Sequence, residues 1–478
     1  MKRTIKSFML IFSYLAMSSN VWANDAKSFI DILKTHYAKT SNINAFSLTH
    51  SYLGRSDPYQ SWDYQSPTRY QAFKVTEIDT TTKQYYQNVV HHYTGGLYFD
   101  EVHFQNREES LRYERNGISL GKRVIKQKMN SFDRYKNLTL MNLDFFAVKP
   151  LLAETNIEET IEYTVNLSDS TITLIHNPSQ KKTMEYVFKK KPLRLISIND
   201  KTRKRIYLYD DYRHNGGYFF AHSLIKKYNG DKKPSFITRL EKFEVISQID
   251  QDKLSIPSGY YHEKSSKSKA LISTKVAQDL YLLTDSSANN NILMQVINDE
   301  ITVFGVPRSK KSSQQLIEKI NQDFSKPKIK GIFVTHPYSD HIAGLLPFVE
   351  IGATIYANGY TINAIKAFPR FANDIEHFKF EEIKHKQTKN NVQFYVLENA
   401  RTKRQSFAYF QQGGIIYQAD FLEVAQDNTI AKMLPSYSKQ FIDFIRNEKL
   451  NFSRIVGYHR NNDISPSVVD KSYNAVTM

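Results

Sequence analysis

The sequence predicts an α+β protein of two domains, and three observations carry that prediction. Short runs rich in Tyr, Phe, Val, Ile and Thr, separated by turn residues, fill residues 24–256, the pattern of antiparallel strands. Strand-like and helix-like patterns alternate over residues 270–478, which indicates layered helices and sheet. Between them, residues 257–269 are polar, rich in Ser and Lys, and begin with Pro257 and Gly259, a linker composition.

The chain opens on Lys2, Arg3 and Lys6, then a mostly apolar stretch from Phe8 to Met17, then Val21-Trp22-Ala23. A basic start, a short apolar segment and a small-x-Ala end predict a cleaved signal peptide over 1–23 and a secreted or periplasmic protein. The apolar stretch is well short of the roughly 20 residues needed to span a bilayer, and no later segment is long and apolar enough to form a transmembrane helix. A helical opening is expected over Ala26 to Tyr37. Strands follow at Tyr70 to Glu77, Thr160 to Asn166, Thr171 to Ile175, Met184 to Lys189, Arg205 to Tyr209 and Phe236 to Val245, with turns such as Thr94-Gly95-Gly96 and Asn215-Gly216-Gly217 between them.

In the second half, Ile292 to Ile297 and Ile301 to Phe304 flank Asn298-Asp299-Glu300 as a hairpin. Leu316, Ile317, Ile320 and Phe324 share one side of a helix over Ser312 to Phe324. The apolar strand Gly331 to Thr335 then runs directly into His336. Strands at Thr354 to Ala357, Val392 to Leu397, Ser406 to Phe410, Ile415 to Gln418 and Arg454 to Gly457 are interleaved with helices near Tyr360 to Ala367 and Ser438 to Asn447.

Composition narrows the function. The chain carries 65 Lys plus Arg against 48 Asp plus Glu, a net charge of +17, and no Cys. Without Cys there is no disulfide, thiolate ligand, thiol nucleophile or iron–sulfur cluster, so any metal is held by His, Asp, Glu or Tyr. Removing residues 1–23 takes away three basic residues and leaves 62 − 48 = +14. The remaining charge is even, with 35 basic against 27 acidic residues over 24–262 and 27 against 21 over 263–478. A nucleic-acid module concentrates its charge on one patch, so specific nucleic-acid binding is not expected, whereas affinity for an anionic substrate remains open.

One stretch carries chemistry. Thr335-His336-Pro-Tyr338-Ser-Asp340-His341-Ile-Ala-Gly344 places two imidazoles, a phenol and a carboxylate within six residues after a buried strand. Asp420 and His459 follow later strands. His and carboxylate groups converging from strand ends suit zinc, manganese or iron, with a bound water as the nucleophile.

This stretch resembles the His-x-His-x-Asp-His signature of the metallo-β-lactamase superfamily, and the element order fits its αββα sandwich over residues 270–478. The resemblance implies that His336 is the first His of the motif, that Asp340 and His341 belong to the second metal position, that Asp420 is the bridging carboxylate and that His459 is the last His. It also exposes departures. Tyr338 stands where the second His belongs. Glu398 to Ser406, the stretch matching the third His, contains none, and Arg401 takes that place. Phe304-Gly305-Val306-Pro307 lacks the family's acidic residue at the hairpin end.

Two functions follow as expectations. The first is a metal-dependent hydrolase with one zinc, or iron or manganese in its stead, held by Asp340, His341, His459 and Asp420. It would act on an ester, lactone, lactam or phosphoester, with Asp340 or Asp420 handling the proton of water and Arg401, Tyr338 and His336 holding an anionic or carbonyl oxygen. The alternative is a catalytically inactive relative that binds an envelope component, the N-terminal domain being the natural contact. Elsewhere, His91 and His92 are expected on opposite faces of one strand, and His377 and His385 at polar surface positions.

Overall fold

The computed structural model describes residues 25–129, 131–168, 170–263, 270–284, 290–324 and 328–474. The expected signal peptide and residues 264–269 of the expected linker lie outside them. The protein is a strand-rich α+β structure. Among the described residues, no helix is long and apolar enough to cross a membrane.

The first half builds one 14-stranded sheet that is antiparallel throughout, except for one edge pair. That pair is instructive. Tyr261 and His262, from the stretch expected to be a linker, run parallel to Arg123 and Val124 and add the last strand to this sheet. The expected strands are present and several run longer, as in Arg69–Asp79 and Arg205–Asn215. Period-two alternation puts Phe46, Leu48, Ile78 and Tyr85 on one face, where they pack against a helix over 25–36 and a group of short helices. Those helices, Ser131–Leu140, Asp144–Ala147, Lys149–Leu152 and Ile157–Thr160, were not expected. They are too short to display a helical period, and Phe132, Phe145 and Phe146 read as strand residues until a sheet face needs covering.

The second half contains a seven-stranded and a five-stranded sheet. Phe304 and Phe333 of the first meet Phe394, Phe410 and Tyr417 of the second in a continuous apolar core. The expected helices lie at Lys310–Asp323, Gly359–Lys366 and Ser436–Asn447. Phe441, Ile442 and Ile445 of the last of these cover the other face of the five-stranded sheet, beside Phe407 and Phe421. Strand Lys328–Phe333 sits between parallel partners Glu300–Phe304 and Thr354–Ala357, and its buried end from Gly331 to Phe333 begins the apolar run that leads to His336. Its C-terminal end delivers His336 to the cleft between the sheets.

Candidate metal centre

Each candidate side chain sits where a strand ends and the backbone must turn. After Lys328–Phe333, the four-residue helix Ser339–Ile342 directs Asp340 and His341 into the cleft. Strand Ile415–Gln418 ends with the Gln418 side-chain oxygen accepting from the Phe421 and Leu422 amides at 2.9 and 3.3 Å, a bend that leaves Asp420 at φ +62°. A non-glycine residue in the left-handed region costs energy, and such strain concentrates at functional sites. His459 follows strand Arg454–Gly457, anchored by the Tyr458 hydroxyl donating to the Val306 carbonyl at 2.7 Å. Arg401 lies in a loop where Asn399 Oδ1 accepts from the Arg401 and Thr402 amides.

These elements bring His336, Asp340, His341, Asp420 and His459 together. His459 Nε2 lies 3.4 Å from Asp340 Oδ2 and 3.6 Å from Asp420 Oδ1. His341 Nε2 lies 3.8 Å from Asp340 Oδ2 and 3.7 Å from Asp420 Oδ1. Such spacings are long for hydrogen bonds, but they are close to the ligand–ligand edge of about 3.4 Å in a tetrahedral shell with bonds near 2.0–2.1 Å. His341 Nε2 and Asp420 Oδ1 are buried without a hydrogen-bond partner. Buried polar atoms are normally satisfied, so this orphaned pair marks a place for a cation. Asp340, His341 and His459 offer ligand atoms that all lie within 4.8 Å of one another, as do His336, His341 and Asp420, so the donor chemistry fits a divalent ion.

The other oxygen of Asp420 faces a different environment. Arg401 Nη2 donates to Asp420 Oδ2 at 3.2 Å, and His336 Nε2 lies 3.6 Å from the same oxygen. The guanidinium therefore stands beside this oxygen as a tethered cation. Burial would raise the Asp420 pKa, but His336, His341 and Arg401 outweigh it and hold the carboxyl well below the usual range. Asp340 behaves alike: burial opposes ionisation, yet His341 and His459 hold its carboxyl far down. Burial and His341 push His336 down to about 4, so its ring is neutral at neutral pH.

Tyr338 is a correction. Its side chain is buried and its hydroxyl donates to the Arg401 carbonyl at 2.7 Å, while the Arg401 guanidinium lies over its ring at 5.0 Å. Burial pushes this phenol up to about 12. It is a prop beneath Arg401 and does not offer its hydroxyl to a substrate or an ion. His336 is likewise fully buried and does not reach the pocket that opens over the cluster. His91 is half-buried and stacks beside Tyr93, His92 and His377 are exposed, and His385 Nδ1 accepts from the Val396 amide; none of them joins the cluster.

Several residues escaped the sequence reading. Gln60, from the first half, donates to Asp340 Oδ1 at 3.0 Å and to Ser339 Oγ at 3.1 Å. Arg460 pairs with Glu423 and donates to Ser119 Oγ at 2.8 Å. Arg308 Nη2 donates to His459 Nδ1 at 3.0 Å. No motif spacing announces contacts that join positions about 280 residues apart in sequence. A guanidinium has only donors, so the Arg308 contact makes Nδ1 the acceptor and leaves the proton of a neutral His459 on Nε2. A metal-ligating histidine commonly has the reverse arrangement, donating from its second nitrogen.

No family model matches the sequence, and no curated protein matches it. Solved structures similar to this chain include TMB-1, at 15% identity and TM-score 0.34 over 43% of this chain and 95% of that one. A crystal structure of the DIM-1 metallo-β-lactamase matches at 16% identity and TM-score 0.32, over 43% and 96%. A metallo-β-lactamase from Erythrobacter litoralis, with β-mercaptoethanol in its active site, matches at 13% identity and TM-score 0.35, over 44% and 97%.

Proposed function

We propose that the protein is a metal-dependent hydrolase of the metallo-β-lactamase type, acting with a single divalent ion, most simply zinc, in a secreted or periplasmic setting. In this reading residues 270–478 form the hydrolase domain and residues 24–256 a β domain that closes its cleft. The observation that carries it is the convergence of Asp340, His341, His459 and Asp420 at tetrahedral-edge spacing with two of their ligand atoms orphaned.

An ion held there would supply Lewis acidity and lower the pKa of water. The chain's own groups do the rest. Asp340, at the pocket edge and 29% exposed, accepts the proton of the attacking water, and Gln60 fixes the orientation of its carboxylate. Arg401 lines the pocket as a permanent cation and holds a carbonyl or anionic oxygen of an ester, lactone, lactam or phosphoester. Its pairing with Asp420 Oδ2 leaves Oδ1 for the ion, so the positive charge that would repel a metal is already balanced.

One observation favours a second reading. The Arg308 contact with His459 Nδ1 suits a site without an ion, as in an inactive protein that binds an envelope component. Metal analysis of the purified chain decides between them. About one zinc, iron or manganese per chain, lost in both Asp340→Ala and His459→Ala, supports the hydrolase; a chain that stays metal-free after reconstitution sinks it.

A further inference from the structure

The pocket over the cluster, about 420 Å³, is walled by both halves of the chain. From the first half come Tyr70, Tyr93 and Phe99, carried on adjacent strands or just beyond them. Tyr70 stacks on Tyr93 with centroids 5.6 Å apart and planes at 18°, and Tyr93 meets Phe99 edge-on at 5.8 Å. The three rings are a contiguous pavement, half-buried and facing the ion-binding side chains. An apolar ring fits such a surface by stacking. The volume is that of a pocket for a small organic molecule.

The charge of the lining narrows the ligand. Four guanidiniums, those of Arg55, Arg308, Arg401 and Arg460, face four carboxylates. Arg460 is held by Glu423 and Arg55 by Asp231, but Arg401 and Arg308 lean on Asp420 and Asp340, the two acids that an ion would claim. The four guanidiniums of the lining are matched by Asp57, Asp340, Asp420 and Glu423, so an ion engaged by Asp340 and Asp420 leaves the pocket with excess positive charge. Low-dielectric walls magnify that imbalance, and a dianionic group restores neutrality. Arg308, with 46% of its side chain exposed, is the cation placed to meet it.

We infer that this pocket takes a small phosphate monoester with an apolar ring, Arg308 meeting the phosphate and the Tyr70–Tyr93–Phe99 pavement the ring. The inference rests on the single-ion reading above. The N-terminal sheet is then a specificity-determining wall of the site, and the hydrolase half alone would not distinguish the ring.

Calorimetric titration of the full chain tests it, with zinc content measured on the same samples. Phenyl phosphate, inorganic phosphate and phenol are the probes, each run at fixed ionic strength on zinc-loaded and zinc-free protein. Phenyl phosphate is expected to bind the zinc-loaded chain at least tenfold tighter than phosphate, with phenol far weaker. Tyr70→Ala and, separately, Tyr93→Leu should erase that preference while phosphate affinity and zinc content stay unchanged. Arg308→Ala should weaken both phosphate probes by a similar factor. A zinc-loaded chain that binds phenyl phosphate no better than phosphate, or keeps its preference in both tyrosine variants, overturns the pocket assignment and leaves the metal reading intact. A chain that takes up no zinc overturns both.

Discussion

The two oxygens of Asp420 look onto two differently built sides of one cleft. Oδ2 faces Arg401 and the buried His336, a side whose cation is a side chain and is always present. Oδ1 faces His341 and His459, with Asp340 close by, a side that in the proposed reading takes its cation from solution. The difference teaches that one carboxylate can be matched on one side by a built-in cation and left unmatched on the other. A guanidinium 3.2 Å from the shared carboxylate keeps that carboxylate ionised and oriented for the remaining ion.

The largest expected effect comes from removing the shared group. Asp420→Ala takes a proposed ligand from one side and, among the described residues, the carboxylate paired with Arg401 from the other. It should abolish metal binding and, by leaving a buried guanidinium without a carboxylate, lower stability by about 3–5 kcal/mol in urea unfolding. Asp340→Ala is the sharper cut. It should also abolish metal binding, yet shift the urea midpoint little, because Asp340 sits partly exposed at the rim. Equal stability losses in the two variants would erase the distinction between the sides.

A middle-sized effect is a change of stoichiometry. Replacing the tethered cation and its prop together, Arg401→His with Tyr338→His, should raise the bound metal from about one ion per chain to two, read by elemental analysis. A count that stays at one means that the first side is shaped for a guanidinium and not merely occupied by it.

Much of this was legible in the sequence. The strand ends leading to His336, Asp420 and His459 were readable because buried parallel strands are short apolar runs that stop at their first polar residue. Asp340 and His341 were singled out by the resemblance of their stretch to a known metal-binding signature. The rest depends on chain segments that meet only in space. Tyr338 looks like a ligand in sequence, but in the folded chain its hydroxyl already belongs to the Arg401 carbonyl. Gln60, Tyr70 and Tyr93 carry no local signal, since they reach the cleft only once the large sheet is laid across it, and Arg308 meets His459 only across 151 residues of chain.

Acid should separate the two sides. Asp420 has its carboxyl held below the ordinary range, so the stability it contributes is complete above about pH 4 and is lost only as pH falls through the lower folded value. The stability cost of Arg401→Met should therefore be the same at pH 7 and pH 5. Metal affinity should fall as acid is added, because imidazole ligands must be deprotonated to bind. Urea midpoints and metal content at both pH values check this, and a cost that shrinks at pH 5 would mean that the pair titrates with the metal.

The smallest effect belongs to Arg308. Removing its donation to His459 Nδ1 lets the ring present its Nε2 lone pair, and Arg308→Gln should tighten metal binding a few-fold in competition with a chromogenic chelator. Unchanged affinity would mean that the guanidinium moves aside at no cost.

The reach of Gln60 to Asp340 has a practical side. Expressed without its first 256 residues, the second half would keep every proposed ligand and still lose the amide that aims one of them. Such a fragment would be a misleading stand-in for the whole protein: its weakened affinity for metal would be mistaken for an intrinsic property of the ligands, when it measured only the missing neighbour.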